Sequence, residues 1–181
     1  MYRIICLFLI FIAGCATYTP QMQLMPPYIK KLSIRQFVNN TTAYGLEDKL
    51  TVDVVDEFIR DGRFTITNPE NSEGELAGEI TYYILQPLTY GPNLEPQQYK
   101  LRVLLNIYFI DKINNFTLWQ ETNLEGIHIF TTSTLSGGIT EDEAREYVWR
   151  DLSQKIIMRT IQGFGTVSGI SEKKLPPMQK P

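Results

Sequence analysis

Cysteine is nearly absent from this chain of 181 residues: Cys6 and Cys15 are the only two, and both stand at the extreme N-terminal end. That excludes a disulfide framework or a thiolate metal site for everything that follows. Histidine is scarcer still. His128 stands alone, so a multi-histidine metal site is excluded and any Ser-His-Asp arrangement has to use it. No excess of positive charge exists either, since 17 Lys and Arg face 20 Asp and Glu with the cations scattered along the chain. Neutralising a phosphate backbone needs clustered Lys and Arg, so nucleic acid is not an expected partner. Long apolar runs are missing as well. The longest, Ile4 to Ala13, falls short of the roughly 20 residues that span a membrane as a helix, and fits the roughly 7 to 15 of a signal-peptide core.

What is present at that end specifies a chemical modification. Tyr2 and Arg3 precede the apolar run, and Ile12-Ala13-Gly14-Cys15 closes it. A small residue before a cysteine that ends such a run resembles the bacterial lipoprotein box, which implies cleavage before Cys15. The thiol of Cys15 is nucleophilic enough to take a diacylglyceryl thioether, and the freed amine takes a further acyl chain. Each buried methylene contributes about 0.8 kcal/mol, so two or more chains anchor stably. Ala16 follows the cysteine rather than aspartate, which favours the outer over the inner membrane. The expected organisation is therefore a signal peptide over residues 1–14, a lipidated N-terminus and tether over 15–28, one domain over 29–165, and a flexible tail over 166–181. Pro20, Pro26 and Pro27 break the tether, and at 3.3 to 3.6 Å per residue it reaches roughly 40 Å. Lys173, Lys174 and Lys180 with three prolines make the tail a solvated segment.

Within the domain, Leu32, Ile34 and Val38 suggest a first strand, ended by Asn39-Asn40-Thr41-Thr42. Leu46, Leu50, Val54, Val55, Phe58 and Ile59 recur at helical spacing, with Glu47 and Asp48 at the N-terminal end and Gly62 available to stop the helix. Extended segments follow at Phe64–Thr67, Glu75–Leu85, Tyr99–Ile110 and Leu118–Phe130. The third alternates most clearly: Tyr99, Leu101, Val103, Leu105, Ile107 and Phe109 take one face, and Lys100, Arg102, Asn106 and Tyr108 the other. Pro87 to Pro96 reads as a proline-held loop, and Asn114-Asn115 as a hairpin turn. Thr140 with Glu143 forms a capping box that starts a helix at Glu141, with Ala144, Tyr147, Val148, Leu152, Ile156 and Ile161 as its buried stripe and Gly163 or Gly165 at its end. The expected fold is α+β, two amphipathic helices on one face of a mainly antiparallel sheet of four to five strands.

Chemistry-bearing constellations are few. His128 lies in a strand-like run, where an alternating or core position accounts for it, and it is assigned no catalytic role. Glu121 and Glu125 stand at even spacing and so could share a face, although ordinary solvated strand charges explain them. Ser136-Gly137-Gly138 lacks the lysine and the strand-to-helix setting of a phosphate loop. Tyrosines 82, 83, 90, 99 and 108 gather in the strand region, suited either to core packing or to an interface with one wet side.

The run Ile34-Arg35-Gln36-Phe37-Val38-Asn39-Asn40-Thr41, then Tyr44-Gly45-Leu46-Glu47, then Phe58-Ile59-Arg60-Asp61-Gly62-Arg63-Phe64, resembles the lipopolysaccharide-assembly lipoprotein family LptE. Leu118-Trp119 with Glu121, and the closing helix with Tyr147, Val148 and Trp149, sit where that family has its last strand and second helix. The resemblance implies a non-enzymatic outer-membrane lipoprotein on the periplasmic side, without a cofactor. It would plug and assist the assembly of a large LptD-like β-barrel and deliver lipopolysaccharide to the outer leaflet. Lys100 and Arg102, on the polar strand face, are the candidates for contact with anionic lipid headgroups. A lipid-anchored pilotin or assembly chaperone for another outer-membrane barrel or secretin is the alternative, and an anchored hydrolase using His128 a more distant one.

Overall fold

The computed structural model describes residues 25–162. The expectations for Cys15, the signal peptide, most of the tether, Gly163 or Gly165 and the tail fall outside the described residues. Strand β1 spans Lys31–Ile34 and β2 spans Val38–Asn39, so the single first strand expected from the sequence is two. Between them the chain leaves the sheet to bury Phe37, whose N–H donates to the Thr51 hydroxyl at 3.0 Å. A side chain at Gly78 would stand 2.4 Å from the Phe37 ring, so the ring occupies room that glycine leaves.

Helix α1, Leu46–Asp61, buries Leu46, Leu50, Val54 and Phe58. Gly62 ends it in the left-handed conformation at φ 74°, its N–H donating to the Phe58 carbonyl, as a glycine past a helix end does. Ile59, expected in the buried stripe, is exposed, because one residue past Phe58 is about 100° further round the helix. After β3, Thr65–Ile66, and a 3-10 turn at Pro69–Asn71, three long strands follow: β4 Gly74–Tyr90, β5 Pro96–Asp111 and β6 Phe116–Thr131. Helix α2, Glu141–Gln162, closes the described chain.

The sheet order is β3-β1-β4-β5-β6, with β2 also beside β4. β1 pairs in parallel with β3 and β4, and β2 in parallel with β4, while β4–β5 and β5–β6 are antiparallel. The expected mainly antiparallel sheet of four to five strands is thus a mixed sheet of six. The physical reason is the crossover through α1, which returns the chain beside β1 in the same direction, and two-residue strands carry no periodicity to betray it. The loop expected over Pro87 to Pro96 is also shorter than read. β4 continues to Tyr90, with Pro87 opposite Tyr99. Proline is tolerated there because the pairing of β1 and β2 with β4 reaches only to Ile80, leaving that side of β4 an edge.

The hairpin turn at Asn114-Asn115 is present, with Asn115 left-handed at φ 55°. The capping box is present too: the Glu143 N–H donates to the Thr140 hydroxyl at 3.2 Å, and the Thr140 N–H donates to the Glu143 carboxylate at 2.8 Å. Those bonds hold the Glu143 carboxyl below its ordinary range, the backbone one foremost. Along α2, Ala144, Val148, Leu152 and Ile156 are buried as expected. Tyr147 is not, and the fully buried Trp149 takes its share.

Both helices lie on one side of the sheet. Leu101, Val103, Leu105, Ile107 and Phe109 of β5 pack with Leu50, Val54, Phe58, Val148, Trp149 and Leu152 in one core. At Gly126 of β6 a side chain would meet Leu152 Cγ at 2.7 Å and Val148 Cγ1 at 2.8 Å, so α2 is seated directly on the strand backbone. No helix among the described residues is long and apolar enough to cross a membrane.

Candidate functional site

The helices cover one face of the β4–β5–β6 sheet, and the other face divides into two halves of different chemistry. Near the turn between β5 and β6 it is polar and internally satisfied. The Glu79 carboxylate accepts hydrogen bonds from Asn40 Nδ2 and Asn106 Nδ2, both at 2.8 Å, and from the Tyr108 hydroxyl at 3.0 Å. Burial, and then the bond to Glu79, push the Tyr108 phenol up to about 12. Arg35 pairs with Glu75 beside them. Arg35, Glu75 and Glu79 in this half thus have their partners on the protein.

The far half is different. There Tyr82, Ile84 and Leu88 of β4 and Ile127 and Ile129 of β6 are exposed, Ile129 by 55% and Ile127 by 42%. Lys100 and Arg102 of β5 stand between them, since Arg102 pairs with Ile84 and Ile127, and Lys100 with Gln86 and Ile129. The structure therefore brings the two sequence-identified cations together on one uncovered face and surrounds them with isoleucines that sequence reasoning had not singled out. Alternation could have found these, because Ile127 and Ile129 flank His128, and His128 falls on the core-facing side opposite Leu101. The two cations are not equivalent. Arg102 hydrogen-bonds the Glu125 carboxylate and lies 6.0 Å from the Tyr82 ring centroid, whereas Lys100 makes no ion pair among the described residues. An apolar surface holding one committed and one uncommitted cation suits an amphiphile with an anionic headgroup.

Glu121 and Glu125 do not share a face. Thr122 and Asn123 stand where the partner strand has only Asn106, a bulge that shifts the register between Leu105–Leu124 and Ile107–Glu121. Asn123 takes the left-handed conformation at φ 58°, and its N–H donates to Asn106 Oδ1 at 3.0 Å. One extra residue reverses the alternation. Glu121 thus faces the helix side, 3.2 Å from Arg159, and Glu125 faces the open side with Arg102. His128 stacks on Tyr147 at 4.6 Å between ring centroids and on Phe130 at 6.5 Å, a packing role rather than a link to a carboxylate. Tyr83 also serves the framework: its hydroxyl donates to Glu141 at 2.5 Å and accepts from Arg145 Nε at 3.2 Å, tying the start of α2 to β4. Burial and then that carboxylate raise its pKa to about 12.

A polar cleft of about 250 Å³ between the helices is lined by both signs of charge, Lys49, Asp53, Glu57, Arg60, Glu146 and Arg150 among them. Lys49 bridges it to Asp53 and Glu146, both at 3.2 Å. Among the described residues no cluster of His, Cys, Asp and Glu is arranged to hold a metal ion.

No curated protein sequence matches the chain. Among solved structures, it is similar to protein XCC0632 from Xanthomonas campestris, at 14% identity over 80% of this chain and 94% of that one, with a TM-score of 0.54. It is also similar to a minor lipoprotein from Acinetobacter baumannii, at 19% identity over 75% and 92% of the two chains and a TM-score of 0.41. Lipoprotein GNA1162 from Neisseria meningitidis matches at 9% identity over 71% and 99%, with a TM-score of 0.44. Of these three, the Xanthomonas likeness is near enough to show a shared fold. The sequence itself matches the lipopolysaccharide-assembly family LptE over residues 29–160, which takes in both helices but for the last residues of α2, all six strands and the uncovered sheet face. With well over half of its length matched, the chain belongs to the LptE family.

Proposed function

We propose that this protein is an outer-membrane lipoprotein, acylated at Cys15, that plugs and assists the assembly of an LptD-like β-barrel and helps deliver lipopolysaccharide to the outer leaflet. In this reading residues 1–14 are removed, residues 15–28 tether the domain 29–165 to the membrane, and residues 166–181 form a solvated tail. No enzymatic step and no cofactor is required of it. Membership of the lipopolysaccharide-assembly family supports the reading. So does a tether of roughly 40 Å at full extension, which keeps the domain within reach of a barrel mouth.

The observation that carries the lipid part is the uncovered face itself. Lys100 and Arg102 stand between Ile84, Ile127 and Ile129, so phosphates and acyl chains of one molecule find both of their complements on the same surface. Because Arg102 is already engaged by Glu125, Lys100 supplies the larger share of the attraction. The test is lipopolysaccharide binding by variants with Lys100→Glu and Arg102→Glu. Binding weakens with the fold retained, more for Lys100→Glu than for Arg102→Glu alone, and unchanged binding in the double variant removes these residues from the site.

A further inference from the structure

The β4–β5 hairpin outruns the helices. A strand of 16 residues such as β5 is about 50 Å long at 3.3 to 3.4 Å per residue, whereas the 22 residues of α2 span about 33 Å. The start of α2 is fixed at Tyr83 by Glu141 and Arg145, and Tyr99, stacked on Phe130, is the last β5 aromatic held by the core. Beyond these the hairpin carries Leu88, Tyr90 and Leu94 in the open, Leu94 by 80%.

Leu94 is also the one bulky apolar residue among the described residues with a left-handed backbone, at φ 64°. Glycine or asparagine fits that conformation far better than leucine does. The turn is closed by the Gly91 N–H donating to the Glu95 carbonyl at 2.8 Å and the Leu94 N–H donating to the Gly91 carbonyl at 3.0 Å. A strained position at an exposed tip therefore holds an apolar side chain where folding alone asks for a small or polar one.

The order of chemistry along the hairpin is equally specific. No Lys or Arg occurs between Pro87 and Tyr99, and the single acid there is Glu95. Its carboxylate folds back with the Gln97 amide into the space that a side chain on Gly91 would fill. Behind the apolar tip come Lys100 and then Arg102. An apolar tip with a tyrosine and then a cation band is the order in which a protein segment enters a lipid layer, with side chains among the acyl tails and the cations at the phosphates.

We infer that the β4–β5 tip, through Leu88, Tyr90 and Leu94, inserts into the acyl layer of an anionic lipid bilayer surface. The inference concerns the protein before a barrel encloses it, a step outside the barrel-plug reading, and its test needs no barrel. The full chain carrying Leu94→Trp is reconstituted in vesicles of phosphatidylethanolamine and phosphatidylglycerol whose acyl chains are brominated. Trp119 and Trp149 are buried and give a constant background. Ile59→Trp, exposed on α1 on the helix side of the sheet, is the control for nonspecific proximity to the membrane. Tyr90→Trp reads the same tip without touching the left-handed position.

The expected result is a blue shift and loss of most of the added emission at positions 94 and 90, with Ile59→Trp unquenched. Emission at both tip positions that stays red, or is quenched no more than at position 59, overturns the inference. A blue shift without bromine quenching means burial against protein, and overturns it as well.

Discussion

The Tyr28 hydroxyl donates a 2.5 Å hydrogen bond to the carboxylate of Asp111, although the two residues lie 83 apart in sequence. Asn114 Nδ2 donates to both, at 2.8 Å and 2.9 Å, and the Glu73 carboxylate accepts the N–H groups of Lys30 and Lys31. The start of the folded domain is thereby fastened to the β5–β6 turn, at the end of the long strands opposite the β4–β5 tip. A tether leading to a lipidated Cys15 would leave from that end, so the uncovered apolar face lies towards the other.

This clamp titrates. Burial works to raise the Asp111 pKa, but the bonds from Tyr28 and Asn114 and the Ile113 N–H together hold it below its ordinary 3.8. A carboxyl depressed in the folded state contributes stability above its unfolded pKa and loses it as pH falls through the folded one. Asp111→Asn is therefore expected to lower Tm by a steady amount between about pH 5 and 8, the deficit narrowing below about pH 4. Thermal melts of the two proteins across that range check it, and a deficit that persists undiminished to pH 2 contradicts it. Tyr28→Phe is expected to lower Tm at neutral pH by less than Asp111→Asn does, since it removes one of the several bonds the carboxylate accepts.

Gly126 is where α2 rests on β6. With Leu152 and Val148 standing 2.7 and 2.8 Å from where a Cβ would be, Gly126→Val forces the helix off the strand. Overpacking of this kind costs about 1 to 3 kcal/mol or more, and a urea midpoint equal to that of the native protein would show that the helix is not seated as described.

Trp149 separates packing from polarity. Its ring is fully buried, and its indole N–H has no hydrogen-bond partner among the described residues. Trp149→Ala is expected to cost about 3 to 5 kcal/mol, while Trp149→Phe, which keeps much of the ring and removes an unpaired donor, costs less than about 1.5 kcal/mol. Equal losses in equilibrium denaturation would mean that the indole N–H is satisfied.

The capping box gives a milder expectation. Thr140→Ala removes the hydroxyl that receives the Glu143 N–H and should lower stability by about 1 kcal/mol, with the difference visible in denaturant titration and little change in helical circular dichroism at 25 °C.

These elements were legible in the sequence to different degrees, for physical reasons. The α2 start could be read because Thr140 and Glu143 satisfy local donors, and the β5 faces because Leu101 to Phe109 alternate without interruption. The split of the first strand was not legible, since Phe37 turns inward to meet Gly78, forty-one residues away. Nor was the parallel pairing of β1 and β3, which depends on the crossover and not on either strand. Even spacing allowed Glu121 and Glu125 to share a face, and the bulge at Asn123 sets them on opposite ones. Asparagine in the left-handed region is the only local hint of it. At the candidate site, Lys100 and Arg102 were readable as polar-face residues of β5, but the Ile127 and Ile129 that frame them and the Glu125 that occupies Arg102 depend on the register of β6.

The most direct measurement is purification of the tagged lipoprotein from gently solubilised outer membranes, followed by identification of any partner present in equal amount. A large heat-modifiable β-barrel of the lipopolysaccharide-export type is the expected partner. Recovery of a secretin in its place, or of no barrel at all, would contradict that expectation.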